Sequence, residues 1–350
     1  MSLRALQESQ GAVFAADGIP LHFGDPAGAW QAALQRAILL DRSHEARLRL
    51  GGGSAADLLQ RLSTNDVLAL APGDGCPTIF TSWHGRVIER VEVYRQPEAL
   101  LLLGGPGRTP ALGDYLRRNI FYNDEVRIED LGASWTCLDL VGPLAAALSG
   151  FKDAPAAGHG LQSTQLAGQD VLVARRSAVG VPRLSLLLPA AAAERVWRAL
   201  CAAGASPAGS LLFNALRIRD GLPAAGSELT QDYIPLELGL WDEVSFSKGC
   251  YTGQEIIARM ESRGQLARMM VRLRPASGAA APANLLHEGR VAGRLTSSVT
   301  APDGTRHALA VLRRQLARPG IRLQAQDVAF EVLAIAGLQP DYSPAKTGGG

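Results

Sequence analysis

The periodicity of this chain changes once, near Arg268, and that change constrains the fold more than any other feature. Before it, helical and extended patterns alternate, and they do so twice. Residues 26–40 place Ala29, Trp30, Ala33, Leu34, Ala37 and Ile38 on one face at three-to-four spacing, which predicts a helix. Residues 46–50 alternate as a strand and end at Gly51-Gly52-Gly53. Ser54 then caps a helix to Leu62, with Asp57 in its first turn. A hairpin follows over 78–82 and 87–94 with its turn at His84-Gly85, then a strand at 100–103, a helix at 110–119 and a strand at 126–129. After Gly132 the alternation restarts, with strands at 135–140, 170–174 and 183–188 and helices at 143–148, 190–203 and 211–219. From Arg268 only short alternating segments remain, at 270–273, 289–297, 309–312 and 328–335. The chain therefore reads as α+β: two related α+β lobes, 1–131 and 132–265, a small β-barrel over 266–338, and a disordered tail, 339–350. A length of 350 residues suits two or three domains at roughly 150 each.

Composition removes several function classes. Charged residues are 19% and hydrophobic residues 47%, which speaks for a folded chain. No apolar run approaches the ~20 residues of a membrane span, and the first residues lack a secretory pattern, so a cytoplasmic protein is expected. Net charge is +2, without the basic bias of a nucleic-acid binder. Nothing demands a dimer, so a monomer is expected. Three of the 35 basic residues are lysine: Lys152, Lys248 and Lys346. The six histidines show no metal-ligand spacing. Cys76, Cys137, Cys201 and Cys250 form no CxxC pair.

The stretch 246–263, FSKGCYTGQEIIARMESR, is the richest in information. Thr252 and Glu255 have capping-box spacing, Tyr251 and Ile256 have that of a hydrophobic staple, and Gly264 ends the helix. Cys250 then stands two residues before the cap, at the positive end of the helix dipole and close to Lys248. Both influences lower a thiol pKa from its reference of ~8.5. The local physics leaves two readings open: a buried cysteine before a capped helix, or a reactive thiolate.

The segment Lys248-Gly249-Cys250-Tyr251-Thr252-Gly253-Gln254-Glu255 resembles the signature of the YgfZ family, folate-binding relatives of the glycine-cleavage T-protein. Residues 216–223 (LRIRDGLP), 235–240 (PLELGL), 63–67 (STNDV) and 291–298 (VAGRLTSS) carry the resemblance over roughly residues 40 to 335. It implies three lobes around a folate-binding channel and a role in supporting iron–sulfur enzymes, including one that modifies tRNA. Iron–sulfur client enzymes would be its partners, Cys250 its functional thiol and Lys248 that thiol's neighbour. Tetrahydrofolate is the implied cofactor. The pocket residues implied are Phe213, His44, Arg219, Tyr251, Gln254 and Glu255, with an ordinary core role open for Phe213 and His44. Asn65 and Asp66 read as turn-formers.

Two positions depart from the wider family. Arg90 occupies the place of the T-protein's aspartate, and a cation there neither acts as the anionic partner nor accepts a proton. Glu89 is adjacent but on a strand points to the other face. Arg219 stands where the family often has a pterin-binding glutamate, and a guanidinium does not accept hydrogen bonds from the pterin. The reading is therefore an accessory protein acting through Cys250. The alternatives are a tetrahydrofolate-dependent aminomethyltransferase and a tRNA-binding module. Arg90 weighs against the first, and the near-neutral charge and lack of an aromatic RNA motif against the second.

Overall fold

The computed structural model describes residues 2–152, 158–264 and 266–337. The expected tail, 339–350, lies outside the described residues. Two antiparallel-rich sheets and a closed barrel organise the chain. In the first sheet the spatial order is Gly75–Thr81, Val87–Arg95, Ala99–Pro106, Glu45–Gly51, Arg127–Asp130. In the second it is Leu161–Leu166, Gln169–Arg175, Arg183–Pro189, Trp135–Val141, Ile38–Asp41, Ser206–Ala208. Each sheet is thus a three-stranded meander laid beside the strand that precedes it in sequence. The repeated element order in the sequence is a repeated topology in space.

Strand alternation sets what each sheet buries. Ala46, Leu48, Leu50, Val91 and Val93 pack under the Ala55–Leu62 and Thr109–Arg118 helices. Leu138, Leu140, Leu184, Leu186 and Leu188 pack under the Ala193–Ala202 helix with Trp197. Full burial of such a side chain contributes ~1.5–3 kcal/mol. The intervening residues face inward, where the two sheets meet through Tyr94, Leu101, Leu103, Leu161 and Leu187. The same inward faces carry Glu45, Glu92, Asp139, Arg183 and Ser185, all buried.

One helix ends early. The expected helix over 26–40 is Pro26–Gln35, capped by Asp25, and the chain then turns at Arg36 into the strand Ile38–Asp41. All four strand residues are buried, since the strand lies between Trp135–Val141 and the parallel Ser206–Ala208. A continuous apolar run covered on both faces suits a central strand. The structure therefore corrects the expected division at 131: the second sheet takes a strand from the stretch assigned to the first lobe. Strands Leu161–Leu166, Ala283–His287 and Arg322–Ala325 also had no counterpart in the sequence reading.

The C-terminal strands close into a six-stranded barrel, in the order Arg268–Pro275, Arg306–Arg313, Arg290–Thr300, Ala283–His287, Arg322–Ala325, Val328–Ile335. Val271, Leu273, Leu285, Leu312, Phe330 and Val332 fill it. Residues 233–240 join it to the first sheet: Tyr233, Leu238 and Leu240 pack with Ile79 and Val87 on one side and Met270 and Val311 on the other.

Candidate functional site

The singled-out residues fall into two separate places. The first is a central cavity of about 340 Å³, lined by His44, Phe213, Arg42, Arg90, Arg217 and Glu45 among others. The Ser210–Asp220 helix supplies one wall. Ser210, Phe213, Asn214 and Arg217 share its inner face because they recur at helical spacing. Gly221, in the left-handed region at φ 91°, ends the helix.

The cavity is lined by arginines whose counter-charges lie with them. Glu45 accepts from Arg42 at 2.5 and 2.9 Å, from Arg183 at 3.0 Å and from Arg176 at 3.2 Å. Arg176 also bonds Glu92, and Arg183 bonds Asp139 at 2.6 Å. Against the penalty of full burial, the Arg183, Arg42 and Arg176 guanidiniums hold the Glu45 carboxyl below the usual carboxylate range. Burial opposes ionisation of Glu92 too, but Arg176, then His159 and Arg90, hold it well below that range.

Arg90 is the most telling member. Its guanidinium grips both oxygens of Glu243 at 2.7–2.8 Å and donates to Ser177 Oγ at 2.7 Å. Burial still pushes the Glu243 carboxyl upward, with Arg90 opposing. Glu89 alternates away from Arg90 along the strand, yet its side chain also lines the cavity, and it pairs with Arg108 at 2.5 Å.

Phe213 is placed at this cavity, but guanidiniums occupy its ring. Arg42 lies 4.1 Å and Arg183 4.7 Å from its centroid. Among the described residues His44 Nδ1, buried at the cavity, has no hydrogen-bond partner, and burial, aided by Arg42, lowers the imidazole pKa. Arg219 is not at the cavity. It turns outward over Trp30, 5.2 Å from the ring centroid. The inward-facing arginine of this helix is Arg217, bonded to Asn214, Glu228 and Ser297 at 2.8–3.1 Å.

The second place is a cleft of about 860 Å³ lined by Cys250, Tyr251, Gln254, Glu255, Trp83 and Tyr115 among others. Here the local expectations need correction. The helix is Gln254–Arg263 and its N-cap is Gly253, at φ 86°. Cys250 therefore stands three residues before the cap, and Thr252 does not close a capping box. Thr252 is held by the first lobe instead: its N–H donates to Arg61 O at 3.1 Å and its carbonyl accepts from Thr81 Oγ1 at 2.5 Å. Gln254 Oε1 accepts the Tyr251 N–H at 3.3 Å. Tyr251 packs on Ile257, not on the Ile256 of the expected staple. Gly253 is needed for space as well as for conformation, since a Cβ there would sit 2.5 Å from Ser82 O.

Lys248 turns away from the cleft. Its ammonium donates to Gln60 O, Ser63 O and Asn65 O at 2.7, 2.8 and 2.7 Å. Burial pushes the ammonium down to about 8, with Asp66 opposing, which leaves it charged at neutral pH. Cys250 is exposed, alone in this among the four cysteines. Burial pushes the Cys76 and Cys137 thiols up to about 12 and raises that of Cys201. Asn65 is a turn-former as expected: its Oδ1 caps Asp66 N–H at 2.9 Å and its Nδ2 donates to Pro77 O at 2.8 Å. Among the described residues no cluster of three or more His, Cys, Asp or Glu is placed to hold a metal ion, and no helix is long and apolar enough to cross a membrane.

The sequence reading did not single out Arg42, Glu45, Glu92, Arg176, Arg183 or Glu243 as site residues. For Glu45, Glu92 and Arg183 the signal was charged residues alternating with apolar ones on strands, a pattern that ordinarily marks a solvated face, whereas Arg42, Arg176 and Glu243 lie outside the strands.

Comparison with known proteins places this geometry. Residues 25–248 match the family model described as GCVT N-terminal domain. A chloroplastic protein of Arabidopsis thaliana, named as a transferase, is 29% identical over 94% of this chain and 77% of its own length. An aminomethyltransferase of Rubrobacter xylanophilus is 30% identical over 72% of this chain and 68% of its own. The crystal structure of the glycine cleavage system aminomethyltransferase T from Bartonella henselae superposes with a TM-score of 0.84 at 21% identity, covering 94% of this chain and 95% of that one. That likeness shows a shared fold.

Proposed function

Since the chain belongs to the GCVT N-terminal domain family and has the glycine-cleavage T-protein fold, we propose that it is a folate-binding member that has exchanged aminomethyl transfer for a thiol-based role. The carrying observation is the Arg90–Glu243 pair. Where an aminomethyltransferase of the T-protein type would use a carboxylate, this chain holds a fully charged guanidinium, locked on both oxygens of its own buried counter-ion. Glu89 also lines the cavity, but its carboxylate is already engaged by Arg108.

Cys250 supplies the alternative chemistry. It is exposed in a cleft whose lining includes the exposed Trp83. Phe121 is tied to the same place through Arg61, which stacks on its ring and accepts from Thr252. Aromatic side chains of this kind anchor protein partners. A client protein docked on this rim would meet the thiol. The exposed thiol and the signature at 248–255 support the YgfZ-like reading, in which a monomeric accessory protein serves iron–sulfur enzymes in the cytoplasm.

A tetrahydrofolate suits the central cavity in size. The roughly 340 Å³ there lies in the range of small-molecule sites, ~300–1,000 Å³, and a neighbouring space of about 400 Å³ shares Arg90, Leu222 and Pro223 with it. His44, with its unpartnered Nδ1, would hold a polar ring atom. Phe213 would not stack on the pterin, because Arg42 and Arg183 already lie on its ring. When bound, the folate would supply one-carbon chemistry.

The test is rescue of iron–sulfur enzyme activity in a deletion strain. Wild type should restore it and Cys250→Ala should not; equal rescue overturns the reading. A second reading, aminomethyl transfer, is favoured by the 30% identity to the Rubrobacter aminomethyltransferase. Folate-dependent release of ammonia from an aminomethylated carrier by wild type would establish it. Calorimetric titration with tetrahydrofolate should give saturable heat, abolished by His44→Phe.

A further inference from the structure

The cleft and the first lobe are joined by an unusual fastening. The turn that ends the Ala55–Leu62 helix leaves carbonyl oxygens without main-chain partners. Thr64 N–H, which would continue the helix by bonding Gln60 O, donates to Ile79 O instead. Gln60 O, Ser63 O and Asn65 O converge on one point, and Lys248 Nζ occupies it. An ammonium has three donors in a compact tetrahedral head; a guanidinium spreads five in a planar fork. Three converging acceptors call for the first. In a chain with three lysines among 35 basic residues, a lysine at this point answers that geometry.

Other bonds fix the loop on either side of this point. Ser245 N–H donates to Thr64 O at 2.9 Å, and Thr252 is bonded to Arg61 and Thr81. Between those ties lie Gly249, around which a Cβ would meet nothing within 4 Å, and the exposed Cys250. Lys248 is therefore the restraint on the N-terminal side of the thiol, as the buried Tyr251, its N–H on Gln254 Oε1, is on the other. We propose that Lys248 is a positioning residue: its ammonium, seated on three carbonyl oxygens of the first lobe, fixes the Cys250 loop, so that the thiol is held at the cleft only while that lobe is docked. This deepens the thiol-based reading above and rests on it for its functional consequence. The fastening itself stands on geometry alone. The carbonyls belong to residues 60–65 and the lysine to residue 248, so the loop's order is a property of the interface between them.

Hydrogen exchange of the full chain at neutral pH, followed by mass spectrometry, tests it. In Lys248→Met, peptides covering 246–251 and 60–66 should exchange at least tenfold faster than in wild type, while the barrel, residues 268–335, stays as protected. Lys248→Arg should fail to restore protection, because charge alone does not satisfy three converging acceptors. Lys248→Gln, with two donors, covers the case in which the methionine variant does not fold. Protection of both peptides within twofold of wild type in Lys248→Met overturns the proposal. So does full protection in Lys248→Arg, or loss of barrel protection in both Met and Gln variants, which would make the lysine a requirement of the whole fold. In the deletion strain, Lys248→Met should lower rescue at least fivefold with Cys250 intact. If Cys250→Ala rescues fully while the exchange result holds, the functional reading fails and the fastening does not.

Discussion

The central cavity and the Cys250 cleft satisfy their polar groups in opposite ways. In the cavity, side chains answer side chains: Glu45 serves three arginines, Arg90 closes on Glu243, and Phe213 lies against two guanidiniums. In the cleft, the main chain does the holding, and Cys250, the thiol proposed to act, is left exposed beside those restraints. A closed network of charges orders a core at a high penalty for any missing member. A loop tied through carbonyls orders a position while leaving the side chain beside it available. The difference separates what holds the lobes together from what would face the proposed partner.

The largest test of that contrast is Glu45→Ala. It strands Arg42, Arg176 and Arg183 in a buried site, and breaking a buried ion pair in this way costs ~3–5 kcal/mol. Urea denaturation should show that loss with no change of fold at the cleft. Acid reads the same network. Glu45 and Glu92 have folded-state pKa values below their unfolded ones, so their contribution is complete above the unfolded carboxyl value of ~4.3 and drains away as pH falls through the folded values. Wild-type stability should decline on that limb, and Glu45→Ala should flatten it.

Gly253→Ala probes the other side. The added Cβ meets Ser82 O at 2.5 Å at a φ that favours glycine, so a loss of about 2–4 kcal/mol is expected from overpacking and backbone strain. Thermal unfolding measures it, and faster exchange over 246–256 should accompany it. Phe213→Leu removes two cation–π contacts and should cost about 1–2 kcal/mol, leaving exchange at the Cys250 loop unchanged. Smallest is Cys250→Ala. An exposed side chain without structural bonds should change stability by no more than ~0.5 kcal/mol in the same denaturation assay. A larger loss would mean the cysteine is part of the packing and would erase the contrast.

Local patterns carried much of this into the sequence. The hairpin at Gly85, four of the six barrel strands and the helix ending at Gly221 were legible because periodicity and glycine mark them directly. The signature at 248–255 located the exposed thiol, but its internal physics misled. Thr252 has the spacing of a cap, and only the three-dimensional approach of Thr81 and Arg61 diverts it. Lys248 reads as the thiol's neighbour until the carbonyls of residues 60–65 are seen to claim it. Arg219 was chosen by its place in a motif, whereas the helix turns Arg217 inward. The charge network was least legible. Arg90, Glu92 and Arg183 alternate with apolar residues as on a wetted sheet, and nothing local says that a second sheet covers that face.

The strand Ile38–Asp41 has a further consequence, for synthesis of the chain. Its antiparallel neighbour, Trp135–Val141, emerges almost a hundred residues later, and its parallel neighbour, Ser206–Ala208, later still. By the time the first sheet has all its strands, at Asp130, this apolar segment has no sheet to join. A fragment cut after the first sheet would carry it uncovered and be prone to self-association, and one begun at residue 132 would lack an interior strand. The lobes repeat one another in design, yet neither is a separable unit of expression.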